Sequence, residues 1–128
     1  MKKVLCIDDS QLIRKSLADL LAKTGLSVLE AENGRVGLEV LARNPDVSLI
    51  FCDINMPEMN GVAFCESYFA NVEYRKIPVF ILTTEGELSL KDELKKFGVK
   101  GWVMKPFSEA KISIILKHIF PVGRVVIK

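Results

Sequence analysis

The chain has 128 residues, a length that suits one domain with a sizeable hydrophobic core. Hydrophobic residues make up 49% of it, and the formal net charge of +2 is too small to indicate a nucleic-acid-binding protein by itself. Several short runs are apolar on both faces, which favours a parallel sheet covered on both sides over an amphipathic antiparallel one.

Apolar runs alternate with helical patterns along the chain. The runs predict strands at about 3–8, 26–30, 47–52, 77–83 and 101–104. Apolar residues at helical spacing predict five helices: a first that Ser10 caps and Gly25 ends, and others at about 34–43, 61–70, 87–97 and 108–120. Strand-helix alternation repeated five times indicates an α/β domain with a doubly wound (βα)₅ fold and a parallel five-stranded sheet over residues 1–120. A short tail, 121–128, follows, and it either frays or pairs with a sheet edge.

Polar residues follow four of the five predicted strands. Asp8 and Asp9 follow the first, Asp53 the third, Thr83 the fourth and Lys105 the fifth. Function in such sheets lies at the carboxyl ends of the strands, so these side chains belong to one edge. Neighbouring strands are about 4.8 Å apart, and the three aspartates can share one ion if the first and third strands are neighbours. Carboxylate oxygens suit a hard divalent cation such as Mg²⁺.

Cysteine usage and hydropathy predict the compartment. The three cysteines, Cys6, Cys52 and Cys65, are odd in number, have no metal-ligand spacing and are typical of buried thiols in a reducing cytosol. Asp8 interrupts the first apolar stretch too early for a signal peptide, and no later run is long enough to insert into a membrane. We therefore expect a cytoplasmic protein.

Four motifs in this order carry a family resemblance. They are Asp8-Asp9, Asp53-Ile54-Asn55-Met56-Pro57-Glu58-Met59-Asn60-Gly61, Thr83-Thr84-Glu85 and Lys105-Pro106-Phe107. Together, over about residues 2–120, they resemble the receiver domains of two-component response regulators, and among these the stand-alone chemotaxis-regulator type. The resemblance implies a flavodoxin-like fold with strand order 2-1-3-4-5. It also implies a phosphoacceptor switch protein rather than an enzyme, one that at most catalyses its own phosphorylation and dephosphorylation.

By the same resemblance, Asp53 is the phosphoacceptor. Asp9, Asp53 and the backbone carbonyl of Asn55 would ligate Mg²⁺ directly, and Asp8 would assist through water. The chemistry agrees, because a carboxylate that attacks phosphorus needs its own charge and the phosphoryl charge offset. Asn55 and Glu85 lie where receivers tune the lifetime of the phosphoryl group.

The resemblance also implies a switch. Thr83 and Lys105 would contact the phosphoryl oxygens, and the Lys105–Pro106 peptide bond is expected in cis. Trp102 stands where receivers usually have tyrosine or phenylalanine, three residues before the lysine. In receivers this ring swings inward when the threonine moves. The larger Trp102 either does the same or is a static aromatic on an interaction face.

The resemblance to receivers also implies the partners. The phosphodonor would be a histidine kinase or phosphotransfer protein, and the output a downstream protein target, with no direct contact to nucleic acid. Residues 1–85 carry a net charge of −3 and residues 86–120 a net charge of +3. The expected target face, on the fourth helix, fifth strand and fifth helix, is basic and carries Lys91, Lys95, Lys96, Lys100, Trp102, Lys111 and Lys117. Such a face suits an acidic partner, although runs of lysine are often only solvated.

Three other functions compete with this one. A phosphorylation-independent, receiver-like interaction module would lack one of the acids, the threonine or the lysine, and none is missing. A flavin carrier of the same fold needs a phosphate-binding loop after the first strand, where Asp8 and Asp9 would repel a phosphate. A phosphatase with an aspartate nucleophile usually has a second acid two residues later, where this chain has Asn55.

Overall fold

The computed structural model describes residues 2–71 and 76–120, and within these only the backbone of Glu85, Glu87 and Leu88. In chain order the elements are β1 (Lys3–Ile7), α1 (Gln11–Ala22), β2 (Ser27–Ala31), α2 (Gly34–Arg43), β3 (Val47–Asp53), α3 (Gly61–Ala70), β4 (Val79–Thr83), α4 (Lys91–Lys95), β5 (Gly101–Met104) and α5 (Glu109–Ile119). Every predicted strand and helix is present, with bounds that differ by a few residues. The predicted tail at 121–128 lies outside the described residues.

All five strands are parallel and stand in the order β2-β1-β3-β4-β5. The predicted doubly wound α/β fold and its strand order are therefore confirmed. In the register of β1 and β3, Ile7 pairs with Cys52. This pairing places Asp8, the residue after β1, beside Asp53 at the end of β3.

The sheet separates two apolar layers. Because successive strand residues point to opposite faces, Leu5 and Ile7 pack in the layer with α2, α3 and α4. Val4 and Cys6 pack in the layer with α1 and α5. All four side chains are fully buried. Both faces of the sheet are thus covered, and its carboxyl edge is left for polar side chains.

Side-chain caps begin four of the helices. Ser10, Asn33, Asn60 and Ser108 each accept a hydrogen bond from the backbone N–H three residues further on, which satisfies a donor that the first helical turn leaves free. The cap at Ser10 was predicted. Gly25, the predicted stop of the first helix, has φ +81° at the turn into β2.

The fourth helix is shorter than predicted. The chain forms a 3-10 helix over Glu85–Leu90, and regular α-helix is confined to α4. Gly86 and Ser89 are poor helix formers, and Leu90 at the helix start provides no capping hydrogen bond. Strand β4 likewise begins at Val79 rather than at 77, because Pro78 has no N–H to donate to a neighbouring strand.

Candidate metal and phosphoryl site

Three carboxylates converge at the carboxyl edge of the sheet. One oxygen from each of Asp8, Asp9 and Asp53 lies within 4.8 Å of the others. Asp8 is fully buried, Asp53 is 3% exposed and Asp9 is exposed. The structure therefore brings together the three aspartates that the sequence analysis placed at one edge, with an open side toward solvent at Asp9.

Local hydrogen bonds orient Asp8. Its Oδ1 accepts from the backbone N–H of Ser10 over 2.9 Å, and its own N–H donates to the carbonyl of Ala31 over 3.0 Å. Arg14 Nη1 donates to the backbone oxygen of Asp8 over 2.7 Å. The loop after β1 is thus attached to β2 on one side and to α1 on the other.

Lys105 connects the two buried acids. Its Nζ donates to Asp53 Oδ1 over 2.9 Å and lies 2.9 Å from Asp8 Oδ2. Asp53 Oδ1 also accepts from the backbone N–H of Ile54 over 2.8 Å. The backbone N–H of Lys105 donates to the carbonyl of Thr83 over 2.7 Å, and the Lys105–Pro106 bond is cis, as predicted.

The electrostatics of the site follow from this packing. Burial raises the pKa of the Asp53 carboxyl to about 6, with the Lys105 hydrogen bond opposing the shift and the charge of Asp8 adding to it. Burial lowers the pKa of the Lys105 ammonium, but Asp8 and Asp53 outweigh that effect and raise it overall. Lys105 therefore stays charged at neutral pH, while Asp53 is mostly ionised.

The donor set fits a divalent cation. Asp8 Oδ2 is buried and accepts no hydrogen bond within the described part of the chain, although the Lys105 ammonium is close to it. The cluster has three carboxylates, and the one ammonium in contact with it pairs with two of them, so the site has excess negative charge. Oxygen ligands with excess negative charge on an open edge are what Mg²⁺ binds in proteins.

Two further predicted switch residues, Thr83 and Trp102, lie on β4 and β5. Thr83 is 1% exposed, and its hydroxyl donates to the carbonyl of Thr84 over 3.1 Å. Trp102 pairs with Ile81 across β4 and β5 and is half-buried. The Lys91 ammonium lies 5.4 Å from the centre of the Trp102 ring, a cation–π distance. Thr83 and Trp102 thus lie on neighbouring strands at the end of the sheet from which α4 and α5 extend.

The two residues predicted to tune phosphoryl lifetime are placed differently. Asn55 is exposed, two residues beyond Asp53 in the loop between β3 and α3. The backbone of Glu85 begins the 3-10 helix after β4, and its side chain lies outside the described part of the chain.

The six predicted surface lysines, Lys91, Lys95, Lys96, Lys100, Lys111 and Lys117, are all exposed.

Sequence reasoning missed two ion pairs at the loops that follow β1 and β3. Arg14 reaches the backbone of Asp8 and pairs with Glu30 over 2.9 Å. Arg35 pairs with Glu58 over 3.0 Å, from the start of α2 to the loop after β3. An arginine one helical turn after Ser10 is a usable signal for the first contact. No sequence pattern predicts the Arg35–Glu58 pair, since the two residues are 23 positions apart.

Comparison with known proteins establishes the class. Residues 4–117 match the response regulator receiver domain family, and the chain belongs to that family. Receivers are signalling switches rather than conventional enzymes, and the family generally binds Mg²⁺.

Within the family, the chain is CheY-like. It is 34% identical over 122 residues to the chemotaxis protein CheY homolog of Campylobacter jejuni, covering 94% of each protein. It is also 34% identical over 119 residues to chemotaxis protein CheY1 of Helicobacter pylori, covering 89% of this chain and 96% of that one. The solved structure of the chemotaxis response regulator CheY4 of Vibrio cholerae matches with a TM-score of 0.84 and 34% identity, covering 94% of this chain and 99% of that one.

No helix in the described ranges is long and apolar enough to cross a membrane.

Proposed function

We propose that this receiver accepts a phosphoryl group on Asp53 in an Mg²⁺-dependent reaction. The donor would be the phosphohistidine of a histidine kinase or phosphotransfer protein. The observation that carries the proposal is the placement of Asp53 in a cluster of three carboxylates, with its Oδ1 2.9 Å from the Lys105 ammonium. This arrangement provides a nucleophile together with cationic compensation for the charge that it receives.

The proposed transfer is a single displacement at phosphorus. An Asp53 oxygen forms the new P–O bond while the P–N bond of phosphohistidine breaks, and the electron pair leaves with the imidazole, which takes up a proton. A pKa of about 6 leaves the Asp53 carboxylate ionised and nucleophilic at pH 7. Lys105 stays charged beside it and would stabilise the phosphoryl oxygens, since such transfers depend mainly on positioning and electrostatics.

The metal would be held by the residues predicted from the sequence. Asp9, Asp53 and the backbone carbonyl of Asn55 would be direct ligands, and Asp8 would act through water. When bound, Mg²⁺ supplies the positive charge that lets a carboxylate and a phosphoryl group approach each other. Asp8, which is buried and attached to Lys105, would fix the position of the ammonium.

The proposed output is a change in the target face. Thr83 would turn its hydroxyl from the Thr84 carbonyl toward the phosphoryl group, and Trp102 would respond in the space beside β5. The exposed lysines of α4, α5 and the segment between α4 and β5 would then meet an acidic surface on a downstream protein. Asn55 and Glu85 would set how fast water removes the phosphoryl group.

Acetyl phosphate with Mg²⁺ tests the acceptor. Mass spectrometry should show one added phosphoryl group on the wild type, none on Asp53→Asn and none on the wild type in chelator. Glu66→Gln, an exposed acid on α3, should behave like the wild type. If Asp53→Asn is phosphorylated, the acceptor lies elsewhere. If the wild type gains nothing, a phosphorylation-independent interaction module becomes the better description.

Beryllofluoride, which mimics a phosphoryl group, tests the switch. The chain has one tryptophan, so acrylamide quenching of its fluorescence reports on Trp102 alone. Quenching should change when wild-type protein binds beryllofluoride and should not change in Thr83→Ala, although that variant should still be phosphorylated. Unchanged quenching of an occupied wild-type site would mean that output uses another surface.

A further inference from the structure

We propose that Arg35 and Glu58 are positioning residues for the metal site. Their ion pair would hold the loop at 54–60, which contains Asn55, in the conformation that presents its backbone carbonyl to Mg²⁺. The inference rests on the proposed function and adds to it a control of metal affinity by side chains that do not touch the metal.

Glu58 has an unusual backbone conformation. Its φ is +65°, and apart from glycines no other residue in the described ranges has a positive φ. This is the left-handed region, which disfavours residues with a Cβ, so surrounding contacts must hold a glutamate there. The tip of the loop therefore depends on what the Glu58 side chain and its neighbours bind.

The start of α2 supplies those contacts. Arg35 Nε donates to Glu58 Oε1 over 3.0 Å, and Asn33 Nδ2 donates to Glu58 Oε2 over 3.3 Å. The backbone N–H of Gly34 donates to the carbonyl of Met59 over 2.9 Å. We call these three contacts the loop tether. A Cβ at Gly34 would lie only 2.8 Å from Met59 Cγ and 2.9 Å from Met59 O, so the two segments are packed as closely as glycine allows.

The tether has a rigid base. Asn33 is 1% exposed, and its Oδ1 accepts from the backbone N–H of Val36, which fixes the amide as the cap of α2. At the other end of the loop, the N–H of Gly61 donates to the carbonyl of Ile54 over 2.7 Å. The loop that contains Asn55 is therefore fixed at its stem by its own backbone and at its tip by α2.

Isothermal titration with Mg²⁺ tests the tether. Arg35→Gln removes a positive charge, which by long-range electrostatics alone should tighten Mg²⁺ binding. Loss of the Arg35–Glu58 contact from the loop tether should instead weaken Mg²⁺ binding, by about three- to tenfold, the lower end of effects seen for residues that support metal ligands. The charge-swapped double variant, Arg35→Glu with Glu58→Arg, keeps the net charge and restores the ion pair but not the Asn33 hydrogen bond to Glu58, so its affinity should lie between those of Arg35→Gln and wild type.

The matched control is Glu39→Gln. Glu39 pairs with the same Arg35 over 2.8 Å but lies within α2 and does not contact the loop. Its Mg²⁺ affinity should fall only by the small long-range effect of removing one exposed negative charge, and by less than that of Arg35→Gln. In chelator, amide exchange over 54–60 should be faster in Arg35→Gln than in Glu39→Gln, a readout that needs no metal.

Two results would overturn the inference. One is a folded Arg35→Gln protein that binds Mg²⁺ as tightly as wild type and exchanges its loop amides no faster. The other is equal weakening in Arg35→Gln and Glu39→Gln. Either result leaves phosphorylation of Asp53 in place, whereas a wild type that binds no Mg²⁺ would overturn the proposed function as well.

Discussion

At the scale of single residues, Lys105 provides the positive charge that the two buried acids of the site share. One ammonium lies 2.9 Å from each of two buried carboxylates, so neither acid has a cation of its own. Removing one partner from such a group leaves the rest with uncompensated buried charge, which costs several kcal/mol in typical cases. The site is thus less stable than the core beneath it, and ligands that add positive charge should stabilise it.

Replacing Asp53 by asparagine should stabilise the metal-free protein at pH 7. A pKa raised to about 6 means that folding favours the protonated acid. This contribution is complete below about pH 4, the ordinary pKa of an aspartate, and is lost as the pH rises through 6. We expect Asp53→Asn to raise the free energy of unfolding by about 1–2 kcal/mol at pH 7 in chelator, and by much less at pH 4.5.

Urea denaturation at the two pH values checks this expectation. Glu66→Gln, which changes an exposed acid, should alter stability little at either pH. A gain for Asp53→Asn that does not shrink on acidification would show that ionisation of the buried carboxyl is not its cause.

Asp9 should matter to the metal and little to the fold. It is the exposed member of the carboxylate cluster. Bound Mg²⁺ should stabilise the wild type by RT ln(1 + [Mg²⁺]/Kd), about 2.7 kcal/mol at one hundred times Kd. Asp9→Asn should lose most of this gain while unfolding like the wild type in chelator. Thermal melts with and without Mg²⁺ measure both quantities, and equal Mg²⁺-dependent shifts would remove Asp9 from the ligand set.

At the scale of elements, α4 and β5 are joined by a contact between Lys91 and Trp102. A cation–π contact at an exposed site contributes about 0.5–1 kcal/mol, enough to bias the position of a ring. Lys91→Gln should therefore make Trp102 more accessible to acrylamide in the unphosphorylated protein. Lys95→Gln, on the same short helix, is the matched control. Equal quenching in the two variants would mean that Lys91 does not hold the ring.

The same contact shows where sequence reasoning ends. The fold was predictable because strand and helix periodicities are local, and the aspartates were predictable because they end apolar runs. The Lys91–Trp102 and Arg35–Glu58 contacts join elements whose relative placement depends on packing of the whole sheet. The 3-10 helix that replaces the first part of the predicted fourth helix was only partly predictable. Gly86 weakens an α-helix but does not by itself determine which structure forms instead.

At the scale of the whole molecule, one sheet contributes side chains to both apolar layers. Leu17 on α1 and Leu41 on α2 are both fully buried, on opposite sides of the sheet. Each substitution by alanine should lower the free energy of unfolding by about 2–5 kcal/mol. Because both layers contain side chains of the same strands, each variant should still unfold in a single transition by circular dichroism and by tryptophan fluorescence. Separate transitions for the two probes would mean that the layers unfold independently.

The order of the strands also gives the sheet a stiff middle and a more compliant side. Asp53, the proposed acceptor, ends β3, which has neighbours on both sides, whereas Trp102 lies on β5, which pairs only with β4 among the described strands. We expect a phosphoryl group on Asp53 to displace β3 little and to displace β5, which pairs with one strand instead of two, more. Amide exchange should accordingly be slowest in β3 and faster in β5. In mechanical terms, the proposed signal enters at a strand held on both sides and leaves at a strand held on one side only.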